Sequence, residues 1–110
     1  MVGREAAIAV YILTNKPYGT LYIGVTSHLT SRIVQHREGV HWGFTKKYGL
    51  KRLVWFEYFE LMTNAIQREK TMKHWPRQWK INLIERDNPH WDDLFPQLMD
   101  WTPVPPQFPL

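Results

Sequence analysis

Residues 8–26 read IAVYILTNKPYGTLYIGVT and contain two short runs of β-branched and aromatic residues. The runs, 8–14 and 20–25, are separated by the turn formers NKPYG, and this pattern predicts a β-hairpin. Because side chains alternate between the two faces of a strand, Tyr11 and Tyr22 should share the face opposite the aliphatic side chains. Ordinary aromatic packing under a helix produces the same pattern, so the hairpin alone decides no function.

A helix is predicted directly after the hairpin, from a cap at Thr26 or Ser27 to about residue 38. Arg32 and His36 stand four residues apart, so they lie on one helix face and can point toward a common target. A solvated helix face remains the alternative interpretation of this pair.

The segment 39–51, GVHWGFTKKYGLK, combines glycine, aromatic and basic residues in a predicted loop. Cations such as Lys46 and Lys47 interleaved with flat rings suit a surface that neutralises phosphates and stacks unpaired bases. A packed connector with a few lysines has the same composition, so both interpretations stay open. The apolar run 52–60 that follows predicts a central strand, the third of a small sheet.

A second helix is predicted from Thr63 or Asn64 to His74. Its apolar stripe includes one carboxylate, Glu69. Burying a carboxylate costs free energy unless it meets a cation, a hydrogen-bond donor or a metal. An ion pair with a neighbouring lysine or arginine and a metal or catalytic role are therefore both open.

The last third of the chain is predicted to be structural. A third helix runs from about residue 76 to 86, because Pro76 suits a helix start. Its predicted inward set is Trp79, Leu83 and Ile84. The folded domain should span residues 1–95, followed by an extended, proline-rich tail over 96–110.

Composition limits the class of protein. A chain of 110 residues with 44% hydrophobic residues has the size and apolar content of one domain. The absence of cysteine excludes disulfide scaffolds, thiolate metal sites and cysteine nucleophiles, and it favours a cytoplasmic location. No stretch approaches the ~20 apolar residues of a membrane helix, so no membrane association is expected.

Charge is distributed unevenly along the chain, whose net charge is +4. Residues 1–75 hold 11 Lys and Arg against 5 Asp and Glu, whereas residues 76–110 hold 3 against 5. A basic segment of this kind indicates a polyanionic partner such as nucleic acid, although many small soluble proteins are equally basic.

Five features follow one another in a fixed order. Val10-Tyr11-Ile12 lies on the first strand and Tyr22-Ile23-Gly24 on the second. The later features are Arg32, His36 and Glu69. This order resembles the GIY-YIG nuclease superfamily over about residues 6–95, and in length the chain is most similar to small stand-alone, excinuclease-like members. Two positions depart from the pattern: Val10 replaces the first glycine, and Val25 stands where some members carry a lysine.

The resemblance implies an α+β fold, a small α/β sandwich in which helices flank a three-stranded, mainly antiparallel sheet. It implies a metal-dependent endonuclease that hydrolyses phosphodiester bonds in DNA, structure-selective or weakly sequence-selective, in the setting of DNA repair or recombination. RNA stays open as a substrate. Two alternatives are a non-catalytic nucleic-acid-binding module of the same fold and a protein-interaction domain.

The resemblance also implies roles for individual residues. Tyr22 would be the general base toward water, Arg32 would stabilise the scissile phosphate, and Tyr11 would orient the water or the phosphate. His36 would hydrogen-bond the phosphate or share in proton transfer. Because one carboxylate is available, Glu69 would hold one Mg²⁺ or Mn²⁺ ion whose other ligands are waters and phosphate oxygens.

Four further residues are predicted to lie against nucleic acid. Gly24 lacks a Cβ atom, which leaves room for a close approach of its backbone to substrate or helix. Three lysines could supply the cation that is absent at Val25. They are Lys46, Lys47 and Lys73.

Overall fold

Three strands form one antiparallel sheet. The computed structural model describes residues 7–39 and 43–99, and its strands are β1 (Ile8–Thr14), β2 (Leu21–Thr26) and β3 (Arg52–Phe59). They lie in the order β2-β1-β3, and both pairings are antiparallel. The helices are α1 (Leu29–Glu38), α2 (Phe44–Lys47), α3 (Met62–Lys73), α4 (Arg77–Asp87) and α5 (Phe95–Met99). The predicted hairpin and the predicted α+β sandwich are confirmed.

The two faces of the sheet bury different side chains. Val10 and Ile12 of β1 pack with α3 and α4 in one apolar cluster. Tyr11 and Leu13 of the same strand pack on the opposite face with α1 and α5, and Tyr22 of β2 borders that second cluster. The alternation predicted from the hairpin sequence is confirmed, and it places both tyrosines on the α1 face.

The prediction that the third strand is central was wrong, because β1 is central and β3 lies at an edge. The run is apolar because β3 is covered on both faces: Leu53 joins the α1 cluster, and Trp55 joins the α3 cluster. A register shift opposite Ile12 and Leu13 places Val54 outside the regular pairing, and Val54 is buried too. A bulge therefore gives two consecutive inward side chains.

The helix starts differ from the predicted caps. The residue that precedes α1 is His28 rather than Thr26 or Ser27, although Thr26 Oγ1 accepts a hydrogen bond of 3.0 Å from the His28 backbone nitrogen. Helix α1 ends at Gly39, whose φ of 72° is the left-handed conformation that glycine adopts without strain. Within the predicted loop 39–51 the structure contains the short helix α2, and residues 40–42 lie outside the described ranges.

Trp79 is not part of the core, which corrects the predicted inward set of α4. Its side chain is 55% exposed, and Ile81, Leu83 and Ile84 form the buried face of the helix. The Trp79 ring packs edge-on against Trp75, with ring centroids 6.0 Å apart. This pairing at the corner between α3 and α4 covers part of the ring without carrying it inward.

Helix α5 crosses the predicted boundary between domain and tail. Leu98 of this helix is buried with the α1 cluster, so packed structure continues past residue 95. Most of the predicted tail, residues 100–110, lies outside the described residues. Within the ranges 7–39 and 43–99, no helix has the length and apolar character that crossing a membrane requires.

Candidate active site

Tyr11 lies at the centre of the predicted site. Its side chain is fully buried on the α1 face of the central strand, and its hydroxyl lies 3.0 Å from His36 Nε2. The Tyr11 ring is 6.3 Å from the Tyr22 ring and 5.8 Å from the His36 ring, measured between centroids. Two strands and one helix thus bring three of the predicted site residues together.

Gly24 makes room for Tyr11. The two residues face each other across β1 and β2, and a Cβ atom built on Gly24 would overlap the Tyr11 ring. Gly24 is itself buried. The group that occupies the missing side-chain position therefore belongs to the protein, and a close approach of the Gly24 backbone to substrate stays a prediction.

His36 connects α1 with α2. Its Nε2 atom meets the Tyr11 hydroxyl, and its Nδ1 atom lies 3.1 Å from Oγ1 of Thr45. His36 and Thr45 are both buried. Both ring nitrogens have protein partners, so a direct hydrogen bond from His36 to a phosphate requires one of these contacts to break, and its role at the phosphate stays a prediction. Thr45 is a site residue that sequence reasoning missed.

Tyr22 is half-buried and has aromatic neighbours on two sides. Its ring lies 5.9 Å from the His36 ring and 6.3 Å from the Phe44 ring, and the latter pair is stacked at an interplanar angle of 27°. Tyr22 is therefore more accessible than Tyr11, while its ring plane is fixed by packing.

The electrostatic surroundings of Tyr11 include the remaining two predicted residues. Burial is the largest cause that raises the pKa of Tyr11, and the neighbouring Tyr22 and the carboxylate of Glu69 raise it further. The charge and hydrogen bonding of Arg32 act on the same hydroxyl and lower its pKa. Tyr11 therefore stays protonated at neutral pH, within electrostatic range of both Arg32 and Glu69.

Arg32 is half-buried on α1 and lines a small polar cleft of about 210 Å³ at the start of that helix. The other lining residues are Thr26, Ser27, His28, Ser31 and Gln35. A guanidinium held next to hydroxyl and amide groups is a suitable partner for a phosphate, because its planar donors match the phosphate oxygens.

Glu69 forms an ion pair with Lys73 one helical turn later. The carboxylate Oε2 lies 2.5 Å from the lysine Nζ, and the side chains are 12% and 51% exposed, respectively. The ion pair that the sequence left open is therefore present, and it places the predicted nucleic-acid contact Lys73 beside the carboxylate.

A protein cage for a metal is absent from residues 7–39 and 43–99, since they contain no group of three or more His, Asp or Glu residues placed to hold an ion. Mg²⁺ commonly binds through one or two carboxylates and keeps several waters and phosphate oxygens. The single carboxylate of Glu69 fits a metal of that kind.

Lys46 and Lys47 lie on α2. Together with Gly43, Phe44 and Tyr48 they line a surface cleft of about 670 Å³. Both lysines are exposed, and Nζ of Lys47 is 5.4 Å from the centre of the Tyr48 ring. The two lysines therefore belong to a surface next to the site, and Thr45 connects that surface to His36.

Comparison with known protein families accounts for this arrangement. Residues 7–82 match the GIY-YIG catalytic domain. The chain belongs to the GIY-YIG family. The GIY-YIG catalytic domain has a nuclease-type fold, and the resemblance inferred from the two tyrosine triplets is confirmed.

Small bacterial proteins are similar over most of their length. A UPF0213 protein of Clostridium perfringens is 40% identical over 75 residues, which cover 68% of this chain and 80% of the relative. A UPF0213 protein of Staphylococcus saprophyticus is 35% identical over 68% of this chain and 90% of the relative. A UPF0213 protein of Staphylococcus haemolyticus is 36% identical over 69% of this chain and 92% of the relative. No solved structure matches the chain significantly.

The position of Val25 explains one departure from the GIY-YIG pattern. Val25 packs with the aliphatic cluster on the α3 face of the sheet, and it pairs with Val10 of β1. Tyr22 borders the cluster on the other face. Lys73 of α3, one of the three lysines predicted to supply the cation that is absent at Val25, pairs with Glu69, and its role toward nucleic acid stays a prediction.

Proposed function

We propose that this GIY-YIG protein is a metal-dependent endonuclease that hydrolyses phosphodiester bonds in DNA, with selectivity for structure rather than for a long sequence. One observation carries the proposal: in a GIY-YIG catalytic domain, the buried Tyr11 hydroxyl contacts His36, and Tyr22, Arg32 and Glu69 act on it electrostatically. A cytoplasmic location and a place in DNA repair or recombination are part of the same proposal.

Tyr22 and Arg32 carry the chemistry at the phosphate. Tyr22 is the accessible member of the tyrosine pair, so we assign it the role of general base: its hydroxyl oxygen takes the proton of the attacking water as its own phenolic proton passes to solvent. Arg32 lines the polar cleft at the start of α1 and stabilises the negative charge that accumulates on the phosphate oxygens. Hydrolysis breaks the bond from phosphorus to the leaving oxygen as the water oxygen bonds to phosphorus, and the leaving oxygen takes up a proton from solvent.

Tyr11 and His36 act as positioning residues. Both are buried, and the Tyr11 hydroxyl lies 3.0 Å from His36 Nε2. The ring of Tyr11 supports Tyr22 from the neighbouring strand, and His36 connects this pair to α2 through Thr45. Fixed neighbours keep the general base in one orientation, which is where much of the advantage of an enzyme site arises.

Glu69 would hold one Mg²⁺ or Mn²⁺ ion, as GIY-YIG nucleases generally require a divalent metal. The bound ion supplies Lewis-acid stabilisation of the charge on the phosphate oxygens. In the structure, Lys73 pairs with this carboxylate at the edge of the core.

A second candidate is a nucleic-acid-binding module without turnover. The Glu69–Lys73 ion pair favours it, because an ammonium group already satisfies the carboxylate that a metal requires. This alternative predicts salt-sensitive DNA binding and no cleavage with any divalent metal.

The decisive experiment is nicking of plasmid, flapped and branched DNA by the purified protein with Mg²⁺ or Mn²⁺. We expect Arg32→Ala and Glu69→Gln each to reduce cleavage by about 100-fold, as removal of one stabilising group in an active site commonly does. Glu57→Gln is the matched control, because Glu57 also pairs with a cation, Arg68, at 3.2 Å. If Glu69→Gln and Glu57→Gln cleaved DNA at the same rate, the proposed metal site at Glu69 would be excluded.

A further inference from the structure

A row of aromatic rings leads from the site to the surface. Tyr22 stacks on Phe44, and the Phe44 ring centroid lies 4.7 Å from that of Tyr48. Phe44 is 47% exposed and Tyr48 45% exposed. The exposed parts of the two rings, one at the start of α2 and one directly after its end, form an apolar surface beside the site.

Positive charge accompanies the exposed rings. Lys46 and Lys47 are exposed on the same short helix and line the same surface cleft, and Nζ of Lys47 lies over the Tyr48 ring. A surface that combines flat apolar rings with ammonium groups complements a ligand with planar faces and a negative backbone. The composition of this surface, with positive charge next to flat rings, favours a polyanion with planar groups over an apolar peptide.

The exposed rings are held at a fixed distance from the site. Thr45, between Phe44 and Lys46, points inward and contacts His36. Its carbonyl oxygen accepts a 2.9 Å hydrogen bond from the backbone nitrogen of Leu50, which is fully buried. The helix is therefore connected to the site on its inner side and to the core at its end.

We propose that Phe44 and Tyr48 form a stacking platform for unpaired bases of a single DNA strand next to the phosphate that is cleaved. In a duplex, neighbouring base pairs cover the faces of each base, so only unpaired or displaced bases can stack on the platform. Lys46 and Lys47 neutralise the adjoining phosphates. The inference rests on the proposed nuclease function and specifies its substrate as DNA with a single-stranded segment beside the cut, such as a flap or a gap.

Binding without metal tests the platform separately from catalysis. The anisotropy of a labelled oligothymidine is compared with that of an abasic oligonucleotide with the same number of phosphates, both in EDTA. We expect the protein to bind the base-bearing strand about 10-fold more tightly, because base stacking on aromatic side chains is worth that much or more. Tyr48→Leu should abolish most of this preference and leave binding of the abasic strand unchanged.

Two control variants separate stacking from charge and from general aromatic exposure. Tyr58→Leu removes a tyrosine of equal exposure, 44%, from the edge strand β3 and should leave the preference intact. Lys47→Gln should weaken binding of both strands by the same factor and reduce the slope of log affinity against log salt by about one charge.

Cleavage of a flapped duplex and of a blunt duplex of the same sequence completes the test. We expect Tyr48→Leu to lower the ratio of flap cleavage to blunt-duplex cleavage by about 10-fold, with the activity on the blunt duplex unchanged. Two results would overturn the platform, even if cleavage requires Glu69. The first is that the protein binds the base-bearing strand no more tightly than the abasic strand, and the second is that this preference is unchanged in Tyr48→Leu and Phe44→Leu. Base preference that depends on Tyr48 without any cleavage supports the platform and overturns the nuclease proposal.

Discussion

The hydroxyl of Tyr11 and Nε2 of His36 lie 3.0 Å apart, and both groups are buried. This contact joins the central strand to α1, and the other His36 nitrogen extends it to Thr45 on α2. Three elements that are distant in the sequence thereby share one polar chain within an apolar cluster. Buried polar groups of this kind are costly when they lose a partner, so the contact should be measurable in stability as well as in activity.

Tyr11→Phe removes the hydroxyl that lies 3.0 Å from His36 Nε2. We expect the free energy of unfolding to fall by about 1–3 kcal/mol, which is the usual cost of leaving a buried polar group unsatisfied. Urea unfolding at neutral pH measures this loss. Tyr58→Phe is the control, since Tyr58 is exposed. Equal stability of the Tyr11 variant and the wild-type protein would contradict a structural role for the contact.

Because of the pKa of Tyr11, the difference in unfolding free energy between the wild-type protein and Tyr11→Phe should depend on pH. Burial, followed by the effect of Tyr22, raises the pKa of Tyr11 in the folded state above the ordinary value near 10. At pH values between the pKa of Tyr11 in the unfolded state and its higher pKa in the folded state, the folded state binds more protons than the unfolded state. The free energy of unfolding therefore falls as pH rises above about 10. Below that pH the hydroxyl is protonated in both states, and the contribution is fully present.

We therefore expect the stability gap between wild-type protein and Tyr11→Phe to be constant from pH 7 to about 9 and to shrink above about 10. Urea unfolding at a series of alkaline pH values gives this gap directly. Other tyrosines titrate in both proteins, and their effect is removed by taking the difference. A gap that stays constant up to pH 11 would show that the environment of Tyr11 does not favour its protonated form.

Local periodicity was sufficient for the parts of the site that lie on regular elements. Tyr11 and Tyr22 share a face because alternation in strands is strict. Arg32 acts on Tyr11 from a half-buried position next to the buried stripe of α1. The polar exception on the stripe of α3, Glu69, was also visible from the sequence, and its partner Lys73 is four residues away. The roles of these residues at a substrate remain predictions.

The rest depended on contacts that no local pattern encodes. Thr45 reaches His36 only because a short helix forms after a loop and turns one side chain inward. The edge position of β3 could not be predicted from its apolar run. Such a run indicates that both faces of a strand are covered, and this holds for an edge strand with a bulge as well as for a central strand. The sequence suggested that the missing Cβ of Gly24 leaves room for substrate or a helix. It could not show that the Tyr11 ring of the neighbouring strand takes up that space.

Gly24→Ala tests that cross-strand packing. The added methyl group overlaps the Tyr11 ring, which is fully buried and cannot move aside into solvent. We expect a loss of about 1–3 kcal/mol in the free energy of unfolding, which is typical of overpacking in a core. A double-mutant cycle with Tyr11→Leu should show a smaller cost of Gly24→Ala, because the smaller side chain relieves the overlap. Strictly additive costs would place the strain elsewhere.

Lys73→Gln tests the competition for the Glu69 carboxylate. Because the ammonium group lies 2.5 Å from Oε2, a metal that binds this carboxylate has to share it with or displace Lys73. Removing the competing charge should lower the Mg²⁺ concentration for half-maximal cleavage several-fold, while the loss of a cation near the DNA weakens substrate binding. Titration of Mg²⁺ at saturating DNA separates the two effects. Lys70→Gln removes an equal charge from an exposed position on the same helix, so it should change the metal requirement less than about two-fold. The same shift in both variants would mean that general charge near α3, rather than the pairing with Glu69, governs metal binding.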